Sequence, residues 1–573
     1  MNTKSLKRLF TYLKGSTGFV VLSVILGLLF GCTTVAVPYF AGQAIDNLSN
    51  LNELLKMILI IIILITISAL LQFALIKMNN KIAFNIGYNL RNATYSKMHR
   101  IKMSYLDQTS AGKLQSLIIS DVETVSDGML LFLNQFASGL ATILITLVVM
   151  FYINWKISLI VVIFTPVSIA VSTLIAKGAY KSFAGQAEIR SKQTAFVSES
   201  VNNFRECRIY DVTGNRIEGF DKINEDYRKT ATKATFLSSI SNPSSRFINA
   251  LIYAAVVLTG CFAGIGGTVT VGALTSLLAY ANQFMKPFND LSAVYTELSD
   301  SFACLARIFE YLDSPEIPVE DFDSVLPDKS EKFDIEFKNV SFSYVEGRPV
   351  LKDISFKVGK GESFAIAGPT GCGKTTLINL LMRYYEPDSG DILINGTSIK
   401  EIPRTELRRY IGFVTQDTWL SDDTVMENIR FAGSHITDEE VFSASKKAGC
   451  DSFIRKLSKR YNEMMDNERD DISEGQKQLL TIARAMASDP SILILDEATS
   501  SVDVVTEDRI QKAVRKLLNG RTSIIIAHRL SQITSCDKIV VIESGKVSEI
   551  GSHDELVAKG GFYSRLYASY ISE

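Results

Sequence analysis

The chain has few of the residues that build disulfide or zinc sites. Of its 573 residues, seven are cysteine and four are histidine. No two cysteines show the C-x-x-C spacing, so the sequence predicts neither a disulfide framework nor a zinc site. An excess of either charge is also absent, since the formal net charge is −1. This balance gives no reason to expect nucleic acid as a partner.

Charge is missing altogether from long stretches of the first half of the chain, whereas the second half has the composition of a soluble protein. The uncharged stretches span residues 19–44, 57–76, 128–155, 157–176 and 247–285. About 20 apolar residues cross a bilayer. The last stretch, interrupted by a glycine-rich segment, is long enough for two crossings. The sequence therefore predicts six membrane helices with no charge at their centres.

Several amide side chains provide polar groups within these uncharged stretches. They are Gln72, Asn134, Gln135, Asn282 and Gln283. Either they line an apolar pathway for a solute, or they hydrogen-bond to one another between helices. The sequence leaves both interpretations open.

Basic residues are concentrated on one side of the predicted membrane. They occur near the N-terminus and in two long segments, at about 77–127 and 177–246. On the other side, there are few basic residues besides Lys56 and Lys156. Because loops rich in basic residues stay in the cytoplasm, we expect both termini there.

A phosphate-binding loop stands far downstream of the uncharged stretches. Residues 368–376 read GPTGCGKTT, which fits G-x-x-x-x-G-K-[ST], and they lie between an apolar strand at 363–367 and a helical pattern at 377–381. In such a loop glycines turn backbone N–H groups towards the phosphates, the lysine adds a positive charge, and the next hydroxyl ligates Mg²⁺. The sequence therefore predicts ATP and Mg²⁺, with Thr375 as a metal ligand. The predicted nucleotide-binding residues are Gly368, Thr370, Gly371, Cys372, Gly373, Lys374, Thr375 and Thr376.

Two further apolar strands end in polar groups. The strand at 491–495 is followed by Asp496 and Glu497, and the strand at 523–527 is followed by His528. Ligands bind at the carboxyl ends of strands in doubly wound sheets. We therefore expect Asp496 to hold the Mg²⁺ shell and Glu497 to orient and deprotonate the attacking water.

The boundary between the two halves is an acidic segment that contains proline. We expect a membrane domain over residues 1–312, a linker over 313–332 and a nucleotide-binding domain over 333–573. The two long basic segments are expected to extend the membrane helices, with interruptions at 107–112 and around 211–215. The interruptions are either solvated loops or contacts with the nucleotide-binding domain.

In this order the motifs resemble those of an ATP-binding cassette exporter half-transporter of the type IV fold, over essentially the whole chain. The resemblance implies a membrane all-α domain of six helices fused to an α/β P-loop NTPase domain, with the two interruptions as coupling helices. Tyr344 would stack on adenine, Gln416 would contact Mg²⁺ and sense the membrane helices, and His528 would contact the γ-phosphate. The catalytic residues would be Glu497, His528 and Gln416. The signature motif would contain Ser473, Gly475 and Gln476, and the D-loop would contain Asp503.

The resemblance also implies a dimer, because in this family each ATP lies between the phosphate loop of one cassette and the signature of another. The family signature has glycine where this chain has Glu474. At an effective dielectric constant of about 20, like unit charges roughly 5 Å apart repel by about 3 kcal/mol. The departure resembles heterodimeric exporters with one degenerate site, whose other chain carries a consensus signature and a defective catalytic carboxylate. The alternative is a tolerated substitution in a homodimer.

The expected function is ATP-driven export of an amphipathic or hydrophobic solute, such as a drug, a lipid or a peptide-like molecule. Import of a metal chelate by the same fold is one alternative, and a regulatory membrane ATPase is another. The expected location is the cell membrane, crossed several times, in a bacterium. The expected partners are a second half-transporter, the lipid bilayer and a small-molecule substrate, but no nucleic acid.

Overall fold

A computed structural model describes residues 8–9, 11–12, 17–318, 320, 332–415, 418–433, 435–465, 472–496, 504–526 and 533–572. The chain forms two compact units. The first comprises residues 1–101 and 109–316, and the second comprises residues 102–108 and 317–573. The predicted domain boundaries at 312 and 332 stay predictions, since residues 321–331 are outside the described part.

The first unit is helical. Its helices are α1 (Thr17–Asp46), α2 (Leu51–Met98), α4 (Ala111–Ser116), α5 (Val122–Ile153), α6 (Trp155–Asn202), α7 (Phe204–Ile209), α8 (Thr213–Ile265) and α9 (Val271–Asp313). A π-helical turn, Leu117–Asp121, joins α4 to α5. Helix α3 (Met103–Asp107) belongs to the second unit.

Four helical segments among the described residues are long and apolar enough to cross a membrane: Thr17–Asp46, Leu51–Met98, Ala111–Ile153 and Arg246–Ile265. A shorter apolar helix covers Trp155–Val167. Every uncharged stretch lies mainly within the six long helices, and the last one is divided between α8 and α9. The prediction of a helical membrane domain is therefore confirmed.

The predicted interruptions are present but shorter than expected. The first extends from Gln108 to Ser110, because the Ser110 hydroxyl accepts a hydrogen bond from the Lys113 N–H at 3.3 Å and so starts α4 early. The second covers 210–212, where Asp211 has a φ of 50°, and α8 begins directly afterwards. The prediction was wrong for residues 107, 111–112 and 213–215, which are helical.

The second unit contains two β-sheets. Its strands are β1 (Ile335–Phe342), β2 (Leu351–Val358), β3 (Ser363–Ala367), β4 (Ser389–Ile394), β5 (Thr397–Ser398), β6 (Ile411–Val414), β7 (Ile492–Asp496), β8 (Thr522–Ile526), β9 (Lys538–Glu543) and β10 (Lys546–Gly551). One sheet is antiparallel, in the order β2-β1-β4-β5. The other has the order β10-β9-β3-β8-β7-β6 and is parallel except for β10.

Helices cover this larger sheet. They are α10 (Lys374–Leu381), α11 (Arg404–Tyr410), α12 (Val425–Arg430), α13 (Asp438–Ala448), α14 (Asp451–Ile454), α15 (Glu474–Ala487), α16 (Val504–Leu518), α17 (His553–Lys559) and α18 (Phe562–Ser572). Short 3₁₀ turns occur at Ile399–Glu401 and Arg460–Asn462.

The two faces of the larger sheet pack into different hydrophobic clusters, because successive side chains of a strand point to opposite faces. Leu493 and Leu495 join a cluster with residues of α13, α15 and α16. Ile492 and Ile494 join a second cluster with α10 and the antiparallel sheet. Burial on both faces explains why β7 is apolar from Ile492 to Leu495 and why β8 ends in three isoleucines.

Candidate functional site

Three parallel strands bring their carboxyl ends to one edge of the sheet. Ile366 of β3 pairs with Ile526 of β8, and Ile526 pairs with Asp496 of β7. Neighbouring strands lie about 4.8 Å apart, so the end of β7 is roughly 10 Å from the end of β3. The phosphate-binding loop and Asp496 therefore leave the sheet at the same edge, where ligands of such sheets bind.

The phosphate-binding loop needs glycine at two positions. Gly368 has a φ of 153°, and a Cβ there would lie 2.3 Å from the Ile542 carbonyl oxygen. Gly373 has a φ of 107°, and its Cβ would lie 2.6 Å from Leu351 Cδ2. A side chain at position 368 would collide with the backbone of β9, and one at position 373 would displace the Leu351 side chain and be strained at this positive φ.

The lysine of the loop is held by the loop itself. Lys374 is the first residue of α10, and its buried side chain donates from Nζ to the Gly368 carbonyl at 2.8 Å and to the Pro369 carbonyl at 3.1 Å. These contacts fix a positive charge beside the N-terminus of α10, where an anion is favoured.

The remaining loop residues divide into exposed and buried groups. Thr370, Gly371 and Thr375 are exposed, whereas Cys372 and Thr376 are buried. The Cys372 side chain belongs to the second hydrophobic cluster, and this burial raises the pKa of its thiol. The residue therefore offers its backbone N–H, and not a reactive thiolate, to a ligand.

Tyr344 is fixed in place beside the loop. Its hydroxyl donates to Thr376 Oγ1 at 3.3 Å and accepts from Asn379 Nδ2 at 3.1 Å. Its ring packs edge-on against Phe342 and Tyr385, with centroids 4.9 and 5.0 Å away. The side chain is still 41% exposed, so a ring surface remains available to a nucleotide base.

Tyr385 was not predicted from the sequence. Its hydroxyl donates to the carboxylate of Asp107 in α3. Burial, reinforced by this carboxylate, raises the pKa of Tyr385. The contact connects α3 to the aromatic group that surrounds Tyr344, and no local pattern in the sequence signals it, because the two residues are far apart in the chain.

The signature residues cap helix α15. The Ser473 hydroxyl accepts a hydrogen bond from the Gln476 N–H at 3.4 Å, and Gln476 Oε1 accepts one from the Ser473 N–H at 3.0 Å. Gly475 is buried in the first turn. This capping box orders the N-terminus of a helix, and such an end attracts anions.

Glu474 finds partners within its own unit. Its carboxylate accepts a hydrogen bond from the Thr418 hydroxyl and lies 3.8 Å from Lys477 Nζ. Arg484, further along α15, donates to the Trp419 carbonyl at 3.3 Å and to the Asn428 carbonyl at 2.8 Å. The segment that starts at Thr418 is therefore attached to both ends of α15.

The predicted site residues form two separate groups. Within the described part of the chain, no hydrogen bond or ion pair joins the signature residues to residues 368–376. Helices α10 and α15 also pack into different hydrophobic clusters. The other predicted residues, Gln416, Glu497, Asp503 and His528, lie outside the described residues.

The oxygen ligands near the loop suit Mg²⁺. Asp496 ends β7 at the sheet edge where the loop begins, and the exposed Thr375 hydroxyl is in the first turn of α10. Mg²⁺ prefers oxygen and takes few ligands from protein when phosphates and water supply the others. These two residues would hold the ion against the phosphates.

A cavity of about 390 Å³ lies in the first unit. Four of the predicted polar amides line it: Gln72, Asn134, Gln135 and Gln283. Asn282 lines a different cavity, beside Arg246. Lys286 also lines the first cavity. The sequence reasoning missed Lys286 because it ended the last uncharged stretch at Met285, one residue earlier.

The chain matches two family models. Residues 20–288 match the ABC transporter transmembrane region, and residues 351–500 match the ABC transporter model. The Bacillus subtilis ABC transporter ATP-binding protein YfiC is 35% identical over 579 residues, covering 99% of this chain and 94% of that protein. A Mycobacterium bovis fatty acid ABC transporter ATP-binding/permease protein is 36% identical, covering 87% of this chain and 79% of that protein.

A solved structure has the same fold over both units. It is described as a bacterial Atm1-family ABC exporter with ATP bound. It is 25% identical to this chain, with a TM-score of 0.81, and the match covers 97% of this chain and 98% of that chain. The fold predicted from the sequence, a helical membrane domain fused to an ATPase domain, is confirmed.

Proposed function

Because the chain belongs to the ABC transporter family, whose members couple ATP hydrolysis to transport, we propose that it exports an amphipathic solute across the cell membrane as one half of a dimer. The observation that carries the proposal is the mixed lining of the membrane cavity. Amides and one lysine share its wall with apolar side chains such as Phe30, Leu75 and Ile76. A pocket of this size and mixed lining suits a small molecule with one polar end.

The described residues explain how ATP would bind. The loop N–H groups and Lys374 would hold the phosphates, and Tyr344 would pack against adenine. Thr375 and Asp496 would hold Mg²⁺, which neutralises charge on the phosphates when it is bound. Glu497 is proposed to take a proton from the attacking water, and Gln416 and His528 to contact Mg²⁺ and the γ-phosphate.

The solved relative is described as an exporter and the mycobacterial relative as a fatty acid transporter. For this chain we propose the same direction of transport as the exporter and, like the fatty acid transporter, an amphipathic solute. Basic residues in the long segments support a cytoplasmic location of both termini, which places the ATPase where ATP is available.

The second half is proposed to be a different chain. The signature would close the partner's ATP site, and Glu474 would add a negative charge there. Thr418 and Lys477 hold this carboxylate and offset part of its repulsion, so a homodimer is the competing assembly. If the partner is a different chain with a consensus signature, the ATP site that this signature closes would contain no such negative charge. This difference favours the heterodimer over the homodimer.

The interruption at 108–110 is proposed to act in coupling. Helix α3, which precedes it, belongs to the same unit as the ATPase strands, and its Asp107 accepts a hydrogen bond from Tyr385. A movement of helix α3 would therefore be transmitted through this direct contact to the aromatic residues that pack against Tyr344.

One experiment tests the function. The tagged chain is purified from membranes with its associated proteins and lipids, which mass spectrometry identifies, and is reconstituted in vesicles with the ATPase domains outward. ATP-dependent accumulation of an amphiphile inside the vesicles is expected. ATP-dependent release of a preloaded solute would establish import instead, and ATPase activity without movement of any tested solute would favour a regulatory ATPase.

A further inference from the structure

Lys286 lies deep within a helix that is expected to cross the membrane. Helix α9 begins at Val271, after a turn that follows the apolar end of α8. Lys286 is fifteen residues further on, which corresponds to about 22 Å along the axis. This depth, measured from the start of the helix, is less than the thickness of the hydrocarbon core, which is about 30 Å. The expectation that the membrane helices carry no charge at their centres stays a prediction, and Lys286 lies one residue beyond the last uncharged stretch.

The wall around Lys286 is anchored to α1. Gln283, one turn earlier on α9, donates from Nε2 to the Thr34 carbonyl at 3.2 Å. Tyr280, one turn before that, donates its hydroxyl to the Val35 carbonyl at 2.7 Å. These bonds fix the register of α9 against α1 on the side of the cavity.

The described polar groups of the cavity include several donors and one buried acceptor, Gln283 Oε1, that has no hydrogen-bond partner. Among the described residues that line it, Lys286 is the one charged side chain, and no aspartate or glutamate is present. Lys286 makes no ion pair within the described part of the chain, and the side chains of Gln72 and Gln135 make no hydrogen bond there. Asn134 uses its Oδ1 to accept from Asn79 at 2.8 Å, which leaves its N–H groups for another acceptor.

This arrangement selects for the sign of a ligand's charge. Lys286 is exposed in the structure, and charged residues within membrane-crossing helices mark binding sites and pathways. An anionic group would neutralise Lys286 and accept hydrogen bonds from the amides of Gln72 and Gln135. A cation would be repelled, and no acid in the described lining would offset that.

We propose that this cavity binds the anionic head group, a carboxylate or a phosphate monoester, of an amphiphile with a single apolar tail. Lys286 provides the charge, the amides provide hydrogen bonds, and Phe30, Leu75 and Ile76 contact the first carbons of the tail. The inference rests on the proposed function in one respect only, since it names the class of solute that the same cavity would export.

The test measures binding without ATP, so that it does not depend on transport. The full transporter, with its co-purified partner, is placed in nanodiscs of neutral lipid, and empty nanodiscs provide the background. The probes are radiolabelled laurate, dodecyl phosphate and dodecyltrimethylammonium. We expect the two anions to bind saturably and the cation not to bind.

Lys286→Met should raise the dissociation constant of both anions by roughly tenfold to a hundredfold, the range for loss of a charged hydrogen bond. Lys286→Arg should retain most of the affinity. Lys156→Met is the matched control, because Lys156 is exposed like Lys286 but is not among the residues that line the cavity, and it should leave binding unchanged. Gln135→Leu should weaken binding severalfold, which provides a second variant if Lys286→Met does not yield folded protein.

Equal affinity of the wild type and the folded Lys286→Met variant for both anions would overturn the proposal, as would preference for the cation. Binding of one anion alone would identify the head group as carboxylate or phosphate. Binding that depends on Lys286, together with no ATP-dependent movement of the same probe in vesicles, would refute the proposed export and leave the binding site established.

Discussion

The hydroxyl of Thr418 donates a hydrogen bond to the carboxylate of Glu474, the first residue of helix α15. The contact binds the unusual signature residue to the segment that follows Gln416, and Lys477 lies close enough to share the charge. Glu474 is therefore not a free charge projecting from the helix end. In the proposed dimer, the effect of Glu474 on the partner's ATP would depend on how firmly Thr418 and Lys477 hold the carboxylate.

We expect Glu474→Gly in the assembled transporter to strengthen ATP trapping at the site closed by this signature, because a negative charge beside the phosphates is removed. Glu474→Gln is the matched control, since an amide keeps an acceptor for Thr418 and removes only the charge. Trapped labelled ATP is the measurement. If the charge is responsible, the glutamine variant behaves like the glycine variant; if glutamine behaves like the wild type, the repulsion argument fails.

The chain expressed alone should have low ATPase activity, because both composite sites would then contain Glu474. Adding the co-purified partner should restore turnover. The comparison uses equal amounts of folded ATPase domain, counted by nucleotide binding. Vigorous ATPase activity coupled to transport by the chain alone would establish a homodimer with a tolerated glutamate.

Glu497→Gln should bind ATP normally but hydrolyse it about a hundredfold or more slowly, since the water loses its general base. Lys374→Ala, in contrast, should weaken ATP binding itself by about tenfold or more. Lys352→Ala, at an exposed position of β2, is the control for loss of a lysine. Steady-state turnover and nucleotide affinity are measured on each variant, and unchanged turnover of Glu497→Gln would remove that residue from its proposed role.

Tyr344→Ala should raise the KM for ATP by about tenfold, the order of a lost base-stacking contact. Tyr344→Phe keeps the ring but loses the hydrogen bonds to Thr376 and Asn379. If stacking is the main contribution, phenylalanine and tryptophan remain near the wild-type value. An equal loss in all three variants would mean that the hydroxyl positions α10 and that the ring does not bind adenine.

Tyr385→Phe should leave ATP affinity unchanged and reduce the stimulation of ATPase by solute severalfold, because the hydroxyl contact with Asp107 is lost while the ring packing remains. Asp107→Asn tests the other side of the same contact. The two substitutions together should cost no more than either alone, since they remove one interaction. Fully additive losses would show that the residues act independently.

Much of the fold was predictable because the signals are local. Apolar stretches of membrane-crossing length define the helices, and the phosphate-binding loop follows from glycines, a lysine and a hydroxyl within nine residues of one another. The capping box of Ser473 and Gln476 likewise involves residues within a segment of four. Backbone sterics and helix geometry act over such short distances, so the pattern alone suffices.

The sequence by itself thus determined the two kinds of domain and the residues of the loop. The tertiary structure decided which distant groups meet: Glu474 with Thr418, 56 residues away, and Tyr385 with Asp107, 278 residues away. It also decided that Gln72, Gln135 and Lys286 share one cavity while Asn282 faces another. Which side of a helix faces a cavity depends on how its neighbours pack. In an apolar stretch every residue is favoured to leave water, and this hydrophobic effect does not specify which side of the helix faces which neighbour.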